Sequence, residues 1–203
     1  MIVYVDGFNL YYGLKSKGWQ RYYWLDVRRL GENLLLPGQV LAAVRYFTAR
    51  ISPRLGSPSK SKRQATFLEA LETRSDLQIH YGHYLAKERH CPECGAEWTT
   101  YEEKMTDVNI AVELLGDAQD DAFDTAIIIS GDSDLTPPVR ATLDRYPEKR
   151  VIVASPPARH SSQLADAATA AFIIGRKKLK DSQLPDEVVK PDGFVLRRPT
   201  QWN

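Results

Sequence analysis

Two aspartates separated by one serine follow a short apolar run in the middle of the sequence. Asp132 and Asp134 come just after residues 126–129, which are Ala-Ile-Ile-Ile. Such a run predicts a strand covered on both faces, as in a parallel sheet between helix layers. Open α/β sheets bind ligands at the carboxyl ends of their strands, so we expect both carboxylates at a ligand-binding edge. As a structural alternative, Asp134 could cap a helix that begins near Pro137 and Pro138, but that role leaves Asp132 unexplained.

Two more acids lie where the predicted fold would bring them to the same edge. Asp6 ends an N-terminal apolar run, and the loops that follow parallel strands all lie at one edge of the sheet. Asp107 lies in the first turn of a predicted helix whose N-cap would be Thr106. The apolar stripe of this helix is predicted at Val108, Ala111, Val112 and Leu115. Asp107 is also at helical spacing from Ile110 and Leu114, so we expect it to lean toward the apolar face; the structural alternative is an acid that stabilises the helix dipole.

Four carboxylates at one edge would repel one another strongly. Two carboxylates about 4 Å apart repel by roughly 4 kcal/mol at an effective dielectric constant near 20. Either some of the acids are protonated, with raised pKa values, or a cation lies among them. The set contains no histidine, and oxygen ligands of this kind favour Mg²⁺ or Mn²⁺ over zinc. A metal held in this way retains water that can be activated against a phosphodiester, which indicates a nuclease.

Short apolar runs separated by helical stretches predict the fold that positions these acids. The runs lie at 2–5, 40–49, 77–85, 126–129, 151–154 and 170–175. Their alternation with helices predicts βαβ units and a three-layer α/β fold, with a mostly parallel central sheet between helices. We expect one domain over 1–180, with a Cys-containing insertion at about 87–100. A C-terminal extension would follow at 181–203, in which the segment "GFVL" could form a short strand.

The composition limits the classes of protein to which this chain can belong. With 43% hydrophobic residues and a formal net charge of +1, the chain should fold, and any nucleic-acid site must be a local patch. The N-terminal run "IVYV" is interrupted by Asp6 and is too short for a signal peptide, and no apolar run could span a bilayer. We therefore expect a cytoplasmic protein without a membrane partner.

One long stretch of the chain is locally basic. No acid occurs between Glu32 and Glu69. The first cation of this stretch is Arg45, and the stretch includes the loop-like segment "RISPRLGSPSKSKRQ". A flexible basic loop after the second strand would overhang the acidic edge and contact phosphates. Nucleic-acid contacts are therefore predicted for Arg50, Arg54, Lys60, Lys62, Arg63 and, after the fifth strand, Arg159. The alternative is a solvated charged loop without a ligand.

Aromatic residues are crowded near the N-terminus. They are Phe8, Tyr11, Tyr12, Trp19, Tyr22, Tyr23 and Trp24. Aromatic rings can stack on unpaired bases, at about 1–3 kcal/mol per base. The helical spacing of Phe8, Tyr11 and Tyr12 is typical of a buried face. Most of these rings are therefore expected in the core, with base stacking as the alternative for individual rings.

The two cysteines, Cys91 and Cys94, form a C-x-x-C pair followed by a glycine that suits a zinc-knuckle turn. Tetrahedral zinc needs four ligands, so the others would have to come from histidines or a second chain. His80 and His83 lie on opposite faces of a predicted strand, which makes His90 or a partner chain the better choice. A reduced thiol pair or a redox couple is the alternative.

Four motifs contain the four acids and Arg159: "YVDGFNLYY", "EEKMTDVNIAVELL", "DTAIIISGDSDLTPPVR" and "KRVIVASPPARHSSQLADAA". Together they resemble the NYN domain, in particular its LabA-like branch, within the PIN-like nuclease superfamily. The resemblance covers residues 2 to about 175 and implies a PIN-like α/β/α fold and Mg²⁺-dependent cleavage of RNA. It also implies that the family's acidic positions are Asp6, Asp107, Asp132 and Asp134. Asn9 matches the polar position after the first acid, and Ser130 matches a hydroxyl position beside the third.

We predict a metal-dependent endoribonuclease that acts on single-stranded RNA at the four aspartates. In this prediction a water bound to Mg²⁺ or Mn²⁺ attacks the phosphodiester, while Asn9 or Ser130 orients the water or the metal ligands. One alternative is a non-catalytic regulatory module that binds RNA or a nucleotide and holds metal without turnover. Another is a phosphatase for small phosphoesters, against which the basic loop argues. A structural Zn²⁺ and a homo-oligomer are further expectations.

Overall fold

A mostly parallel sheet of seven strands lies between two layers of helices in the part of the chain that the structure describes, residues 1–52 and 57–202 of a computed structural model. In chain order the elements are β1 (Ile2–Asp6), α1 (Gly7–Ser16), α2 (Val27–Leu34), β2 (Ala43–Ala49), α3 (Pro58–Glu72), β3 (Leu77–His90), β4 (Glu97–Lys104), α4 (Thr106–Gln119), β5 (Thr125–Ile129), α5 (Thr136–Arg145), β6 (Arg150–Ser155), α6 (Ser162–Ala167), β7 (Ala170–Ile173), α7 (Arg176–Asp181), β8 (Glu187–Val189) and β9 (Val195–Arg197). Short 3₁₀ turns cover Gln20–Tyr22, Ser133–Leu135 and Thr200–Trp202. Within the described ranges, no helix combines the length and the apolar character that a membrane crossing requires.

The order of the strands brings the predicted acidic loops together. The order is β4-β3-β2-β1-β5-β6-β7, and β3 and β4 pair in antiparallel fashion whereas the other neighbours are parallel. β1 lies between β2 and β5, with Asp6 opposite Phe47 and Val5 opposite Ile129. The carboxyl ends of these three strands therefore meet at one edge, beside the loop that contains Asp132. The predicted three-layer α/β fold is confirmed.

Each of the predicted apolar runs overlaps a strand, whereas β4 was not predicted. It pairs with the outer part of β3, from His83 to His90, after the pairing of β3 with β2 has ended at Gly82. β3 and β4 thus form a hairpin that continues past the neighbouring strand. The insertion predicted at about 87–100 corresponds to the outer half of this hairpin.

Alternating side chains of β1 pack into two separate cores. Val3 and Val5 belong to a core with α1, α2, α3 and α7, whereas Ile2 and Tyr4 belong to a core with α4, α5 and α6. Asp6 continues the alternation of Ile2 and Tyr4, so its side chain is directed to the α4 side of the sheet. The fold therefore brings Asp6 to the face of the sheet at which α4 begins.

The apolar stripe predicted for α4 is wrong at two positions. Val108 and Val112 are 60% and 62% exposed. The helix instead buries Ile110, Leu114 and Ala118. Its rotation is fixed by the buried Asp117, which forms an ion pair with Arg45 of β2. Because Tyr4 also donates a hydrogen bond to Asp117 Oδ2 at 2.6 Å, the polar contacts decide which of several apolar faces turns inward.

The C-terminal segment completes the core on the α1 side of the sheet. It contributes Leu184, Val188 and Leu196 to that core. β8 and β9 form a two-stranded antiparallel sheet, and β9 includes the last two residues of the "GFVL" segment. Trp24 Nε1 donates to the carbonyl of Pro185 at 2.7 Å, and the ring of Trp202 contacts those of Tyr23 and Trp24. The boundary near residue 180 stays a prediction.

Candidate active site at the carboxyl edge of the sheet

Asp6 is the most buried of the four predicted acids, with 3% of its surface exposed. Its Oδ1 accepts a hydrogen bond from the backbone N of Asn9 at 2.9 Å, which caps α1, and its Oδ2 accepts one from Ser130 Oγ at 2.9 Å. Burial raises the pKa of this carboxyl to about 7. The two hydrogen bonds oppose that rise, and the nearby charges of Asp107 and Asp132 add to it. Its ionised form is therefore in need of a compensating positive charge.

The loop after β5 is tied to the start of α1 by side-chain hydrogen bonds. The backbone N of Gly131 donates to Asn9 Oδ1 at 3.0 Å, and the backbone N of Asp132 donates to Ser130 Oγ at 3.1 Å. A Cβ at Gly131 would lie 2.6 Å from the backbone carbonyl of Arg159, so this close approach requires glycine. Asn9 and Ser130 therefore position the acidic loop, and the loop after β6 lies directly against it.

Asp134 does not cap α5, as the structural alternative would have it; Asp132 instead caps the short 3₁₀ turn that precedes this helix. Asp132 Oδ1 accepts a hydrogen bond from the backbone N of Asp134 at 3.1 Å and so caps the 3₁₀ turn Ser133–Leu135. The helix α5 begins at Thr136 without a side-chain cap. Asp134 is exposed and its carboxylate is left without a structural partner among the described residues. Capping thus accounts for one carboxylate oxygen of Asp132 and does not account for the carboxylate of Asp134.

Asp107 approaches the same cluster from the first turn of α4. The predicted N-cap, Thr106, is instead the first helical residue and follows Met105, whose φ of 80° is left-handed. Asp107 is half-buried, and burial is the main cause that raises its pKa to about 6. The charges of Asp132, Glu103 and Asp134 raise it further. The structure therefore brings Asp107 and Asp132 close enough to raise the pKa of Asp6, and Asp132 and Asp134 close enough to raise that of Asp107.

Glu103 is a fifth acid of this cluster that the sequence did not single out. It lies at the end of β4, and its Oε1 accepts a hydrogen bond from the backbone N of Thr106 at 3.1 Å and another from the Thr106 hydroxyl. Gly82 gives it room, because a Cβ there would lie 2.8 Å from Glu103 Oε1. The spacing Glu-x-x-Thr before a helix is the one signal that could have indicated it, as a carboxylate that caps the helix start.

The cluster has the charge and the ligand atoms of a site for a hard divalent cation. Among residues 1–52 and 57–202, no ion pair involves any of the four aspartates. The same residues contain no group of three or more His, Cys, Asp or Glu that is already arranged to hold a metal ion. Mg²⁺ needs no such group, since it commonly uses one or two carboxylates and keeps several waters. The residues therefore fit Mg²⁺ or Mn²⁺ by charge and donor type, although a complete ligand set is not preformed.

Of the two phosphate contacts predicted before residue 57, Arg50 is already paired within the protein. Arg50 pairs with Glu72 at 3.1 Å, and its guanidinium lies 4.5 Å from the centre of the Tyr81 ring. Arg45 forms ion pairs with Glu113 and Asp117 on α4. Arg54 lies outside the described residues. Nucleic-acid contact through Arg50 stays a prediction, in which a phosphate would have to compete with Glu72.

Lys60, Lys62 and Arg63 lie in the first two turns of α3, so the prediction of a flexible loop is wrong for them. Pro58 begins this helix, at a position where the missing N–H of proline costs no hydrogen bond. Both lysines are exposed and Arg63 is half-buried. None of the three forms an ion pair with any residue that the structure describes. Their charges are therefore available to a phosphate, and Arg159 adds a guanidinium 5.7 Å from the centre of the Tyr12 ring.

Most of the N-terminal aromatic residues are in the core, as predicted. Tyr22, Tyr23 and Trp24 are buried. Tyr12 is the exception on α1, with 41% of its surface exposed between the cations of Lys15 and Arg159. Stacking of a base on an individual ring stays a prediction.

Cys91 and Cys94 lie at the tip of the β3–β4 hairpin. The backbone N of Cys91 donates to the carbonyl of Ala96 at 2.8 Å, and Gly95 adopts a left-handed φ of 68°. Backbone N–H groups directed at the Cys91 thiol lower its pKa, as a knuckle that binds metal would require. His80 is not available, because it pairs with Glu113 and stacks on Phe47. Zinc at the tip stays a prediction, with ligands from His90 or a second chain.

Comparisons with known proteins identify the family. The model of the NYN domain matches residues 1–176. The chain is 30% identical over 168 residues to 6-hydroxy-3-succinoylpyridine 3-monooxygenase HspA of Pseudomonas putida; the match covers 66% of this chain and 53% of that protein, so the chain spans about half the length of this relative. A protein of unknown function from Vibrio parahaemolyticus shares the fold, with a TM-score of 0.57 and 22% identity over 90% of this chain and 94% of that one. The chain belongs to the NYN domain family, whose fold is that of PIN-like nucleases.

Proposed function

We propose that this protein is a metal-dependent endoribonuclease with its site at Asp6, Asp107, Asp132 and Asp134. The observation that carries the proposal is the convergence of carboxylates from three separate elements. Burial, with a further contribution from the charges of neighbouring acids, raises the pKa of Asp6 to about 7 and that of Asp107 to about 6. Such raised pKa values in a group of neighbouring acids are typical of functional sites. Membership of the NYN family supports nucleic acid as the substrate class.

The residues of the chain would divide the work of binding and orientation. A bound Mg²⁺ or Mn²⁺ would supply an activated water and offset the charge that develops on the phosphoryl oxygens. Ser130 donates to Asp6 Oδ2 and so fixes the orientation of that carboxylate. Asn9 fixes the position of the loop that contains Asp132, because its Oδ1 accepts a hydrogen bond from the backbone N of Gly131. Backbone phosphates of the substrate would contact the cations of Lys60, Lys62, Arg63 and Arg159.

The experiment is incubation of labelled single-stranded RNA and DNA with the protein in EDTA, Mg²⁺ or Mn²⁺. We expect RNA cleavage in either metal and none in EDTA. Asp132→Asn should abolish cleavage. Asp144→Asn removes the same charge and should leave cleavage intact, because Asp144 is exposed near the opposite end of α5. Equal cleavage by the two variants, or cleavage in EDTA, would contradict the proposal.

The same incubations distinguish catalysis from a non-catalytic role. A regulatory module that binds RNA without turnover would retain RNA with metal-dependent affinity and release it uncut. The carboxylate of Asp134 has no partner among the described residues and would be available to a metal under either reading, so the fate of the bound RNA decides between them.

A second candidate function follows from the Pseudomonas relative, whose name describes oxidation of a substituted pyridine. An aromatic cavity beside Asp6, with Tyr46 and Tyr84 in its wall, favours a ligand with a planar ring. Thermal stabilisation by a pyridine carboxylate, without binding or cleavage of RNA, would support this candidate against the nuclease.

A further inference from the structure

A cavity of about 120 Å³ opens between α1 and α3. Its wall is dominated by aromatic rings, among them Tyr11, Tyr23, Tyr46, Phe67, Tyr84 and Trp202. Trp202 comes from the far end of the described chain and contacts Phe67 and Tyr23, so the C-terminal segment completes this wall. The cavity is therefore a product of the whole fold.

The cavity adjoins the acidic cluster on the other face of the sheet. Gly7, directly after Asp6, lies in its wall, and a Cβ at Gly7 would be 2.6 Å from the Tyr46 hydroxyl oxygen. Tyr84, also in the wall, pairs across the hairpin with Glu103 of the cluster. A ligand in the cavity would thus have its outer end at the edge where the acids lie.

The mouth of the cavity is positively charged. Lys60 and Arg63 lie in its wall, and no acid is among the described residues that line it. Neither cation has an ion-pair partner in the described part of the chain. Aromatic walls with free cations at the mouth suit a planar ring that carries an anionic group such as a phosphate.

Two hydroxyl groups in the wall are free to contact the polar edge of a ring. Within the described residues, the hydroxyls of Tyr46 and Tyr84 make no hydrogen bond, and burial is the main cause that raises both pKa values. Gln64, the amide in the wall, is already occupied, because it accepts from the backbone N of Ile51 at 2.7 Å and donates to the carbonyl of Ala49 at 2.9 Å. The ligand would therefore be recognised by the two tyrosine hydroxyls.

The size of the cavity selects a single ring. A cavity of roughly 150 Å³ in another protein accommodates benzene, and a water occupies about 30 Å³ in the liquid. At about 120 Å³, this cavity can take one six-membered ring with small adjustments of its wall, whereas the second ring of a fused pair would have to extend into its open mouth. Among nucleobases, the size favours pyrimidines over purines.

We propose that this cavity binds one pyrimidine base of a single-stranded RNA, with the adjoining phosphate on Lys60 and Arg63, and thereby places the next phosphodiester at the acidic cluster. The proposal rests on the nuclease function proposed above and adds a preference for the base beside the cleaved bond. Tyr12 stands at the exposed rim of the cavity, where it would cover the base.

The test compares the binding of labelled short homopolymers of uridine, cytidine and adenosine by fluorescence anisotropy, in the Asp132→Asn background with Mg²⁺. We expect both pyrimidine polymers to bind more tightly than the adenosine polymer. Tyr12→Ala should weaken pyrimidine binding about fivefold to 150-fold, the equivalent of about 1–3 kcal/mol for one stacked base. Tyr101→Ala is the matched control, since Tyr101 is 40% exposed and Tyr12 is 41% exposed. It should change affinity less than twofold.

The outcomes separate this proposal from the nuclease function. Equal affinity for all three polymers, or equal effects of the two tyrosine variants, would overturn the cavity assignment while RNA cleavage by the wild type still supports the nuclease. Pyrimidine preference that depends on Tyr12, in a protein that cuts no RNA, would support the base site and contradict the nuclease.

Discussion

Replacing Asp6 by Asn should remove a large pH dependence from the stability of the metal-free protein. The pKa of Asp6 is raised from 3.8 to about 7 in the folded chain. The folded state therefore binds the proton more tightly than the unfolded state does. The free energy of unfolding should therefore fall as pH rises from about 4 to about 7. The contribution that proton binding by Asp6 makes to this free energy is complete only below about pH 4.

The magnitude follows from the size of that difference in pKa. About three pK units, at about 1.36 kcal/mol each, correspond to about 4 kcal/mol lost above pH 7. Asn keeps the shape and still caps α1, because Asn is among the best N-cap residues. The Ser130 hydroxyl loses a charged acceptor, at a cost of about 1 kcal/mol. At pH 8 in EDTA, Asp6→Asn should be more stable by about 3 kcal/mol, or roughly 6–12 °C in Tm for a domain of this size.

The assay is urea unfolding of the wild type, Asp6→Asn and Asp144→Asn in EDTA across pH 4 to 8. The difference between the first two proteins should grow with pH and level off above about pH 7, whereas Asp144→Asn should follow the wild type. If Asp6→Asn were less stable than the wild type at pH 8, or if the difference did not depend on pH, the carboxylate would be a structural group stabilised by its hydrogen bonds.

Three further predictions concern the metal, the cations and the cysteines. Asp132→Asn and Asp107→Asn should each keep or gain thermal stability in EDTA and lose most of the stabilisation that Mg²⁺ gives the wild type, since the metal loses a ligand. Changing Lys60, Lys62 and Arg63 to Ala should weaken single-stranded RNA binding and reduce its salt slope by about 2, at about 0.7 per lost phosphate contact. Elemental analysis should find about one zinc per chain or per pair of chains, and the double change of Cys91 and Cys94 to Ser should remove it.

Each of these predictions has an opposite outcome. Full metal-induced stabilisation of both aspartate variants would mean that the acids cap helices and bind no cation. An unchanged salt slope in the triple variant would make the start of α3 a solvated surface. Metal-free protein of normal stability would leave Cys91 and Cys94 as a reduced thiol pair.

The sheet and the acids at its edge could be predicted because their signals are local. Continuous apolar runs such as 126–129 indicate buried parallel strands, and the position of a residue after such a run fixes the edge on which it lies. Asp6, Asp132 and Asp134 were placed by this rule. Asp107 was placed by its position in the first turn of α4, although the helix presents a different apolar face from the one predicted.

The features that escaped prediction depend on contacts between distant segments. β4 is exposed along most of its length, so it has no apolar alternation to indicate a strand. Glu103 joins the cluster only because the hairpin returns it to the start of α4. The rotation of α4 depends on the ion pair of Asp117 with Arg45. The start of α3 was hidden by a Ser- and Pro-rich composition that is equally typical of loops, although Pro58 is well suited to begin a helix.

The most direct test of the central claim is the rate of RNA cleavage as a function of Mn²⁺ concentration in the wild type and in Asp107→Asn. Asp107 is informative because it reaches the cluster from a different element than Asp6 and Asp132 do. We expect a saturable dependence on Mn²⁺ in the wild type and a rate about 10- to 100-fold lower in the variant. Cleavage that is independent of metal, or equal rates in the two proteins, would contradict a nuclease site built from these four aspartates.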